Sequence, residues 1–134
     1  MPKNFDIIKS NEELSKNPVL VKQWDETDLW VKKDDKFDTP KAMILCKTYT
    51  NDHYFGETPN ARVFAIMWKG CLDSMMCELN YKAWMASMSF DLELERNNID
   101  MTWSGFSDGL DAYVKESLDF IASIRTKDFK EVFE

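Results

Sequence analysis

The sequence predicts an α+β fold, a two-layer sandwich of a mostly antiparallel sheet with helices on one face, in the order β-β-α-β-β-α-α. Three observations support this prediction. Apolar and polar residues alternate over 90–95 and again over 99–104, as in two neighbouring half-buried strands. Apolar residues recur every three or four positions over 60–88, as on one side of a helix, and a second stripe of this kind follows from 108.

The N-terminal part, residues 1–27, is polar and irregular, and we interpret it as a lead-in to a single domain over 1–134. Short edge strands fit the apolar groups at 5–8 and 19–21. No glycine- or serine-rich linker divides the chain, so we expect no second domain within it.

Two strands are expected before the first helix. The first covers 29–33, and a charged turn with Asp34 and Asp35 leads through Pro40 to the second, over 41–50. Because the second run places apolar side chains on both faces, it predicts an interior strand.

A single long helix is predicted over 60–88. Thr58 can cap its first turn with its hydroxyl, and Pro59 suits the first helical position.

The alternating runs that follow predict a β-hairpin. Asn97 and Asn98 can form its two-residue turn, because asparagine tolerates positive φ better than most residues. That turn would place Leu94 opposite Met101 and Leu92 opposite Trp103, with all four side chains on one face.

Two further helices are expected after the hairpin. Asp108 can cap the first, and Thr126 the second, which the chain enters shortly before Glu134. We therefore expect the domain to be partial, a fragment of a longer polypeptide.

The acidic composition disfavours two classes of partner. The chain has 24 Asp and Glu against 17 Lys and Arg, a net charge of −7, so it would repel both a nucleic-acid backbone and an anionic membrane. No apolar run approaches the roughly 20 residues that span a bilayer. Three cysteines, an odd number, favour free thiols in a reducing compartment, so we expect an intracellular, cytoplasmic protein.

The residues offer little catalytic chemistry. His53 is the only histidine and lies in a polar loop without an evident partner. Asp34 and Asp35 are neighbours on an extended segment, so their carboxylates point to opposite faces. Cys71 and Cys77 lie about 120° apart around a helix, which suits neither a redox pair nor a zinc site. We predict no catalytic, cofactor-binding or metal-binding residue, with a minimal enzyme around His53 as one alternative.

Four segments, in order, resemble the third, middle domain of the insulinase- and pitrilysin-type zinc metallopeptidases, the inverzincins. They are PKNFDI at 2–7, LWVKKDDKFDTPKA at 29–42, ELNYKAWMASMSFDL at 78–92 and MTWSGFSD at 101–108. The family has Leu-Trp, Asp-Asp and Pro-Lys-Ala in the second of these places, Tyr-x-Ala with Ala-Gly-Leu-Ser-Tyr in the third, and Gly-Tyr-Asn-Asp in the fourth.

The resemblance implies a metallopeptidase-like domain, one of four homologous domains that enclose a substrate chamber. The family's zinc site is a His-x-x-Glu-His motif in another domain, and a chain with one histidine cannot supply it. The resemblance thus implies a non-catalytic piece of the chamber wall, inactive alone, in a parent that hydrolyses peptide bonds with zinc. Its partners would be the parent's other domains and the peptide substrate.

The sequence departs from the family at three informative positions. Ser87 replaces the glycine of Ala-Gly-Leu, Trp84 replaces an acidic residue, and Asn98 replaces the hairpin glycine. We take Trp84, Ser87 and Trp103 as candidate residues of the chamber wall.

A stand-alone peptide- or protein-binding module derived from such a domain is the main alternative. An exposed surface that once faced neighbouring domains would also let the isolated chain self-associate through its aromatic residues.

Overall fold

The computed structural model describes residues 17–34, 39–50, 58–95 and 97–124. The chain divides into two compact units, Asn4–Pro40 and a larger unit that contains Lys41–Glu134. The early strand expected at 5–8 and the last helix expected from Thr126 lie outside the described residues.

The smaller unit contains a β-hairpin. Strand β1 (Val19–Trp24) pairs antiparallel with β2 (Thr27–Val31), and Trp24 faces Thr27 across the turn. The strand expected at 19–21 is confirmed and extends to Trp24, so the lead-in contains a regular element. The second strand begins at Thr27 and ends at Val31, two residues earlier at each end than expected.

The larger unit contains a three-stranded antiparallel sheet. Its strands are β3 (Lys41–Tyr49), β4 (Ser89–Leu94) and β5 (Asn98–Phe106), in the order β3-β5-β4. With three helices beside it, the unit has the α+β fold that the sequence predicts. The central strand is β5, which pairs along both edges.

The expectation that the 41–50 strand is interior is wrong for the described part of the chain. There β3 pairs with β5 alone and forms one edge of the sheet. Apolar residues on both faces indicate that both faces of the sheet are covered, and they do not determine how many edges of the strand are paired.

The β4–β5 hairpin has the predicted faces in a different register. Leu94 lies opposite Ile99 and Leu92 opposite Met101, and the amide of Glu95 donates to the carbonyl of Asn98 at 2.9 Å. The whole pairing is shifted by two residues, because the turn lies one residue earlier than expected. A two-residue shift returns every side chain to the same face, so the face assignment survives.

The predicted long helix is two helices, α1 (Pro59–Met75) and α2 (Cys77–Met85). The start is confirmed, because the Thr58 hydroxyl accepts from the Ala61 amide at 3.2 Å and Pro59 follows it. The break falls at Met76, whose backbone (φ −82°, ψ −3°) departs from helical values. Met76 is itself almost fully buried.

The last described helix, α3 (Ser107–Ser123), begins irregularly. Asp108 and Gly109 have non-helical backbone angles, and Gly109 has a φ of 95°. The regular helix therefore starts at Leu110, just after the position expected from the sequence.

The core lies between one face of the sheet and the helices. One cluster joins α1 to β4 and the other joins α2 and α3 to β5. Their buried members are Leu72, Met76 and Leu92 in the first, and Ala83, Trp103, Leu110 and Tyr113 in the second. The inner face thus carries the predicted Leu92 and Trp103, and the helices cover this one face.

A partly buried hydrogen bond joins α2 to α3. The Tyr113 hydroxyl donates to the side-chain oxygen of Asn80 at 2.9 Å, and the Ser117 hydroxyl donates to the Tyr113 carbonyl at 2.6 Å. Burial raises the pKa of Tyr113 to about 12.

Gly105 on β5 lies close to the backbone of the segment that follows α2. Its φ of +152° is rarely adopted by other residues, and a methyl group there would lie 2.6 Å from Met88 Cγ and 2.9 Å from Met88 Cα. Only glycine leaves room for this approach.

We predict that Gly105→Ala lowers the free energy of unfolding by about 2 kcal/mol or more, because both the overlap and the backbone strain are costly. Gly70→Ala is the matched control, since Gly70 lies on α1 with nothing within 4 Å of an added methyl group. That substitution should raise stability by roughly 0.5–1 kcal/mol. Urea unfolding of both variants checks this, and equal effects at the two glycines would contradict the contact.

Candidate functional site

The exposed face of α2 carries a patch of large apolar side chains, which we call the α2 patch. Its members are Tyr81, Trp84 and Met85, between 61% and 68% exposed. The rings of Tyr81 and Trp84 lie 6.2 Å apart between centroids and are tilted by 32°. Residues three and four apart are neighbours on a helix, so the three side chains form one continuous surface.

The opposite side of the same helix is buried. Ala83 is a core residue, and Leu79 packs against both core clusters. A helix that is apolar on both sides usually has a second contact besides its own core. The core contacts of α2 therefore account for Leu79 and Ala83, but they do not account for the apolar side chains of the α2 patch.

An ion pair flanks the α2 patch. Lys82 Nζ lies 2.6 Å from Glu78 Oε1, and this hydrogen bond raises the pKa of Lys82 and lowers the pKa of Glu78. Both side chains are well exposed, so the pair adds little stability and leaves charge of both signs beside the aromatic rings.

The turn after α2 holds Ser87 in a strained conformation. Ser87 has a φ of 60°, the left-handed region, and its amide donates to the Trp84 carbonyl at 2.9 Å. The Met88 amide donates to the Ala83 carbonyl, also at 2.9 Å. These two bonds form the Schellman arrangement that ends many helices, in which this position is usually glycine.

The structure separates the three candidate wall residues by depth. Trp84 is exposed on α2, and Ser87 is exposed in the turn. Trp103 is 1% exposed and packs against Phe90 at 5.1 Å between ring centroids. The turn is close to β5 through Gly105, since a methyl group there would lie 3.0 Å from the Ser87 carbonyl oxygen. Trp103, two residues earlier in β5, thus lies in the core and reaches no surface ligand directly.

The other chemically active residues do not converge in the part of the chain that is described. His53 and Asp35 lie outside it. Cys46 and Cys77 are exposed, Cys71 is buried, and all three are free thiols. The described residues contain no group of three or more His, Cys, Asp or Glu side chains that could hold a metal ion.

Sequence reasoning missed Tyr81 and Met85. Both repeat at helical spacing with Trp84, on the side of α2 opposite Leu79 and Ala83. The helical spacing of these residues is visible in the sequence. However, a prediction of one helix over 60–88 with a single core stripe does not identify a second apolar face.

Of the helices in the described residues, none has the length and hydropathy needed to cross a membrane.

Comparison with known proteins gives one family for the whole chain. Residues 1–134 match the family described as the middle or third domain of peptidase M16.

Several curated proteins are similar over most of the chain. Insulin-degrading enzyme of Homo sapiens is 27% identical over 123 residues, which cover 92% of this chain and 12% of that protein. Insulin-degrading enzyme-like 2 of Arabidopsis thaliana is 28% identical over 110 residues, 82% of this chain and 11% of that protein. A protein of Schizosaccharomyces pombe that is named a zinc protease is 26% identical over 110 residues, with the same two shares. The chain thus spans about an eighth of the length of these relatives.

We predict that Ser87→Gly raises the free energy of unfolding by about 0.5–1 kcal/mol, because glycine removes the cost of the left-handed conformation. Ser74→Gly is the matched control, since Ser74 is exposed within α1 and should lose a similar amount. Thermal or urea unfolding measures both. A loss of stability in both variants would show that Ser87 does not require a left-handed backbone.

Proposed function

The chain belongs to the family of middle, or third, domains of peptidase M16, and on that premise we propose that it is a non-catalytic part of a zinc metalloendopeptidase. In this proposal it forms part of the wall of the chamber that holds the peptide substrate. The observation that carries the proposal is the family match over residues 1–134, in a chain that spans 12% of its human relative.

The zinc of the parent enzyme belongs to another domain in this proposal. Zinc sites use three or four His, Cys or carboxylate ligands, and the described residues gather no such set. The family's His-x-x-Glu-His motif needs two histidines and the whole sequence has one, so this chain cannot supply that motif. The parent's activity, hydrolysis of peptide bonds, would need this chain for shape and for substrate contacts only.

The α2 patch is the surface that we propose contacts peptide. Tyr81 and Trp84 offer flat aromatic faces that bind apolar side chains with little loss of conformational entropy. The turn at Ser87 holds the end of this helix against Gly105, so it sets the position of the α2 patch. Trp103 would stabilise the wall through its packing in the core, without contact to substrate.

The exposed aromatic side chains also suggest partners other than the peptide substrate. We propose that other domains of the same protein contact the chain in the parent, and that the isolated chain self-associates at high concentration through its exposed aromatic residues. We propose a cytoplasmic location, which the three free thiols favour.

We predict that the isolated chain binds a fluorescein-labelled, unstructured peptide rich in aromatic residues, and that Trp84→Ala weakens this binding by about tenfold. Phe64→Ala is the matched control, because Phe64 is 69% exposed on α1 and Trp84 is 68% exposed on α2. Fluorescence anisotropy measures the affinities. Equal losses of affinity in the two variants would show that the α2 patch is not the peptide-binding surface.

The same samples test the non-catalytic role. After dialysis against zinc, metal analysis should find no stoichiometric zinc, and mass spectrometry should find the peptide intact. One zinc per chain, with hydrolysis that a chelator abolishes, would overturn the proposal.

A further inference from the structure

Helix α2 is short, and its apolar side rests on the core. It has nine residues, Cys77–Met85, and Leu79 and Ala83 pack against the core clusters from the same side. Apolar contacts are non-directional, so they hold the helix on the core but tolerate a rotation about its own axis. The backbone at Met76 departs from helical values, so α1 does not impose the rotation of α2.

The hydrogen bond from Tyr113 to Asn80 is a directional contact. The Tyr113 hydroxyl donates to Asn80 Oδ1 at 2.9 Å, and such a bond weakens steeply as its angle departs from linearity. The donor has a fixed position, because Tyr113 is 4% exposed and belongs to the same buried cluster as Ala83 and Trp103. Since a close-packed core holds its side chains in place, the hydroxyl cannot follow a rotated helix without repacking.

Asn80 lies between the buried side of α2 and the α2 patch. At 3.6 residues per turn, it is about 60° around the helix axis from Ala83 and about 40° from Trp84. Asn80 is half-buried, whereas Ala83 is buried and Trp84 is exposed. A rotation of about 20° would move a side-chain tip about 5–6 Å from the axis by roughly 2 Å. That displacement exceeds the roughly 0.5 Å within which binding groups must be held.

We propose that Tyr113 is a positioning residue for peptide binding at the α2 patch. Its hydrogen bond to Asn80 fixes the rotation of α2, and thereby the direction in which Tyr81 and Trp84 face a peptide. The inference rests on the proposed function of the α2 patch, and Tyr113 itself makes no contact with the peptide. Both partners of the bond belong to the larger compact unit, so the bond does not depend on what surrounds that unit in a longer protein.

Residual dipolar couplings of the ¹⁵N-labelled full chain measure the rotation of α2 without any peptide. Tyr113→Phe removes the hydroxyl and keeps the ring. We expect the couplings of the α2 amides to change, with β5 as the reference, as for a rotation of about 10–20°, the range beyond which a binding geometry is lost. Ser123→Ala is the matched control, because it removes an α3 hydroxyl that donates to the Phe120 carbonyl at 2.7 Å, and it should leave these couplings unchanged.

Fluorescence anisotropy with the fluorescein-labelled, aromatic-rich peptide measures the effect on binding. Tyr113→Phe should weaken the affinity by about three- to tenfold, as for a residue that acts on a site without touching its ligand. Asn80→Ala should have a similar effect, and the double variant should lose no more than either single variant, because both remove the same bond. All affinities are measured where circular dichroism shows every variant to be folded, so a loss of stability alone does not change them.

A second cycle links the bond to Trp84. Trp84→Ala should weaken binding by about tenfold in the unsubstituted chain and by about threefold or less in the Tyr113→Phe chain, because a misdirected ring contributes less to binding. Equal factors in the two backgrounds would mean that the bond does not direct Trp84, and would overturn the proposal.

The other contrary results separate this inference from the proposed function. Unchanged α2 couplings in Tyr113→Phe would overturn the inference whatever the peptide does. An unchanged affinity in Tyr113→Phe, with weaker binding in Trp84→Ala, would overturn it and leave the α2 patch as the peptide-binding surface. No effect of Trp84→Ala in the unsubstituted chain would overturn the proposed function of the α2 patch, and the role of Tyr113 in binding with it.

Discussion

The structure depends on the close approach between Gly105 and the turn that ends α2. Without a side chain at Gly105, the backbone at Ser87 and Met88 can lie directly against the central strand. This contact fixes where the helix layer meets the sheet, because the turn connects α2 to β4 and β4 pairs with β5. Trp103 and Ala83, on either side of the contact, share one buried cluster. The position of the exposed α2 patch follows from the same geometry.

The core that forms around this contact covers only one face of the sheet. Large apolar side chains remain exposed on the β1–β2 hairpin, on β3 and on the outer sides of α1 and α2. Isolated exposed apolar residues are normal, but exposed apolar residues in rows along several elements indicate contact surfaces. The proposed role, a wall domain among other domains of a longer protein, would use such surfaces.

The sequence predicted which face each strand buries better than it predicted which residues pair. Leu92 and Trp103 lie on the inner face as expected, because alternation is a property of the strand itself. The pairing partners predicted for them were wrong by two residues. The turn position depends on local backbone preferences, and Asn97 and Asn98 do not determine it. The break at Met76 was missed for a related reason. Its neighbours have helical spacing on both sides, and no proline or glycine stands at that point.

The candidate site was predictable only in part. Trp84 and Ser87 were found by comparison with a family pattern, and the left-handed backbone of Ser87 supplies a physical reason for a glycine there. The edge position of β3 among the described strands could not be predicted, because apolar residues on both faces do not reveal which partner strands are present. The most direct measurement is amide hydrogen exchange by NMR on the isolated chain. If β5 is paired along both edges and β3 along one edge only, the amides of β5 exchange most slowly. The amides of β3 then alternate along the strand between slow and fast exchange. Uniform protection along β3, equal to that of β5, would contradict the account.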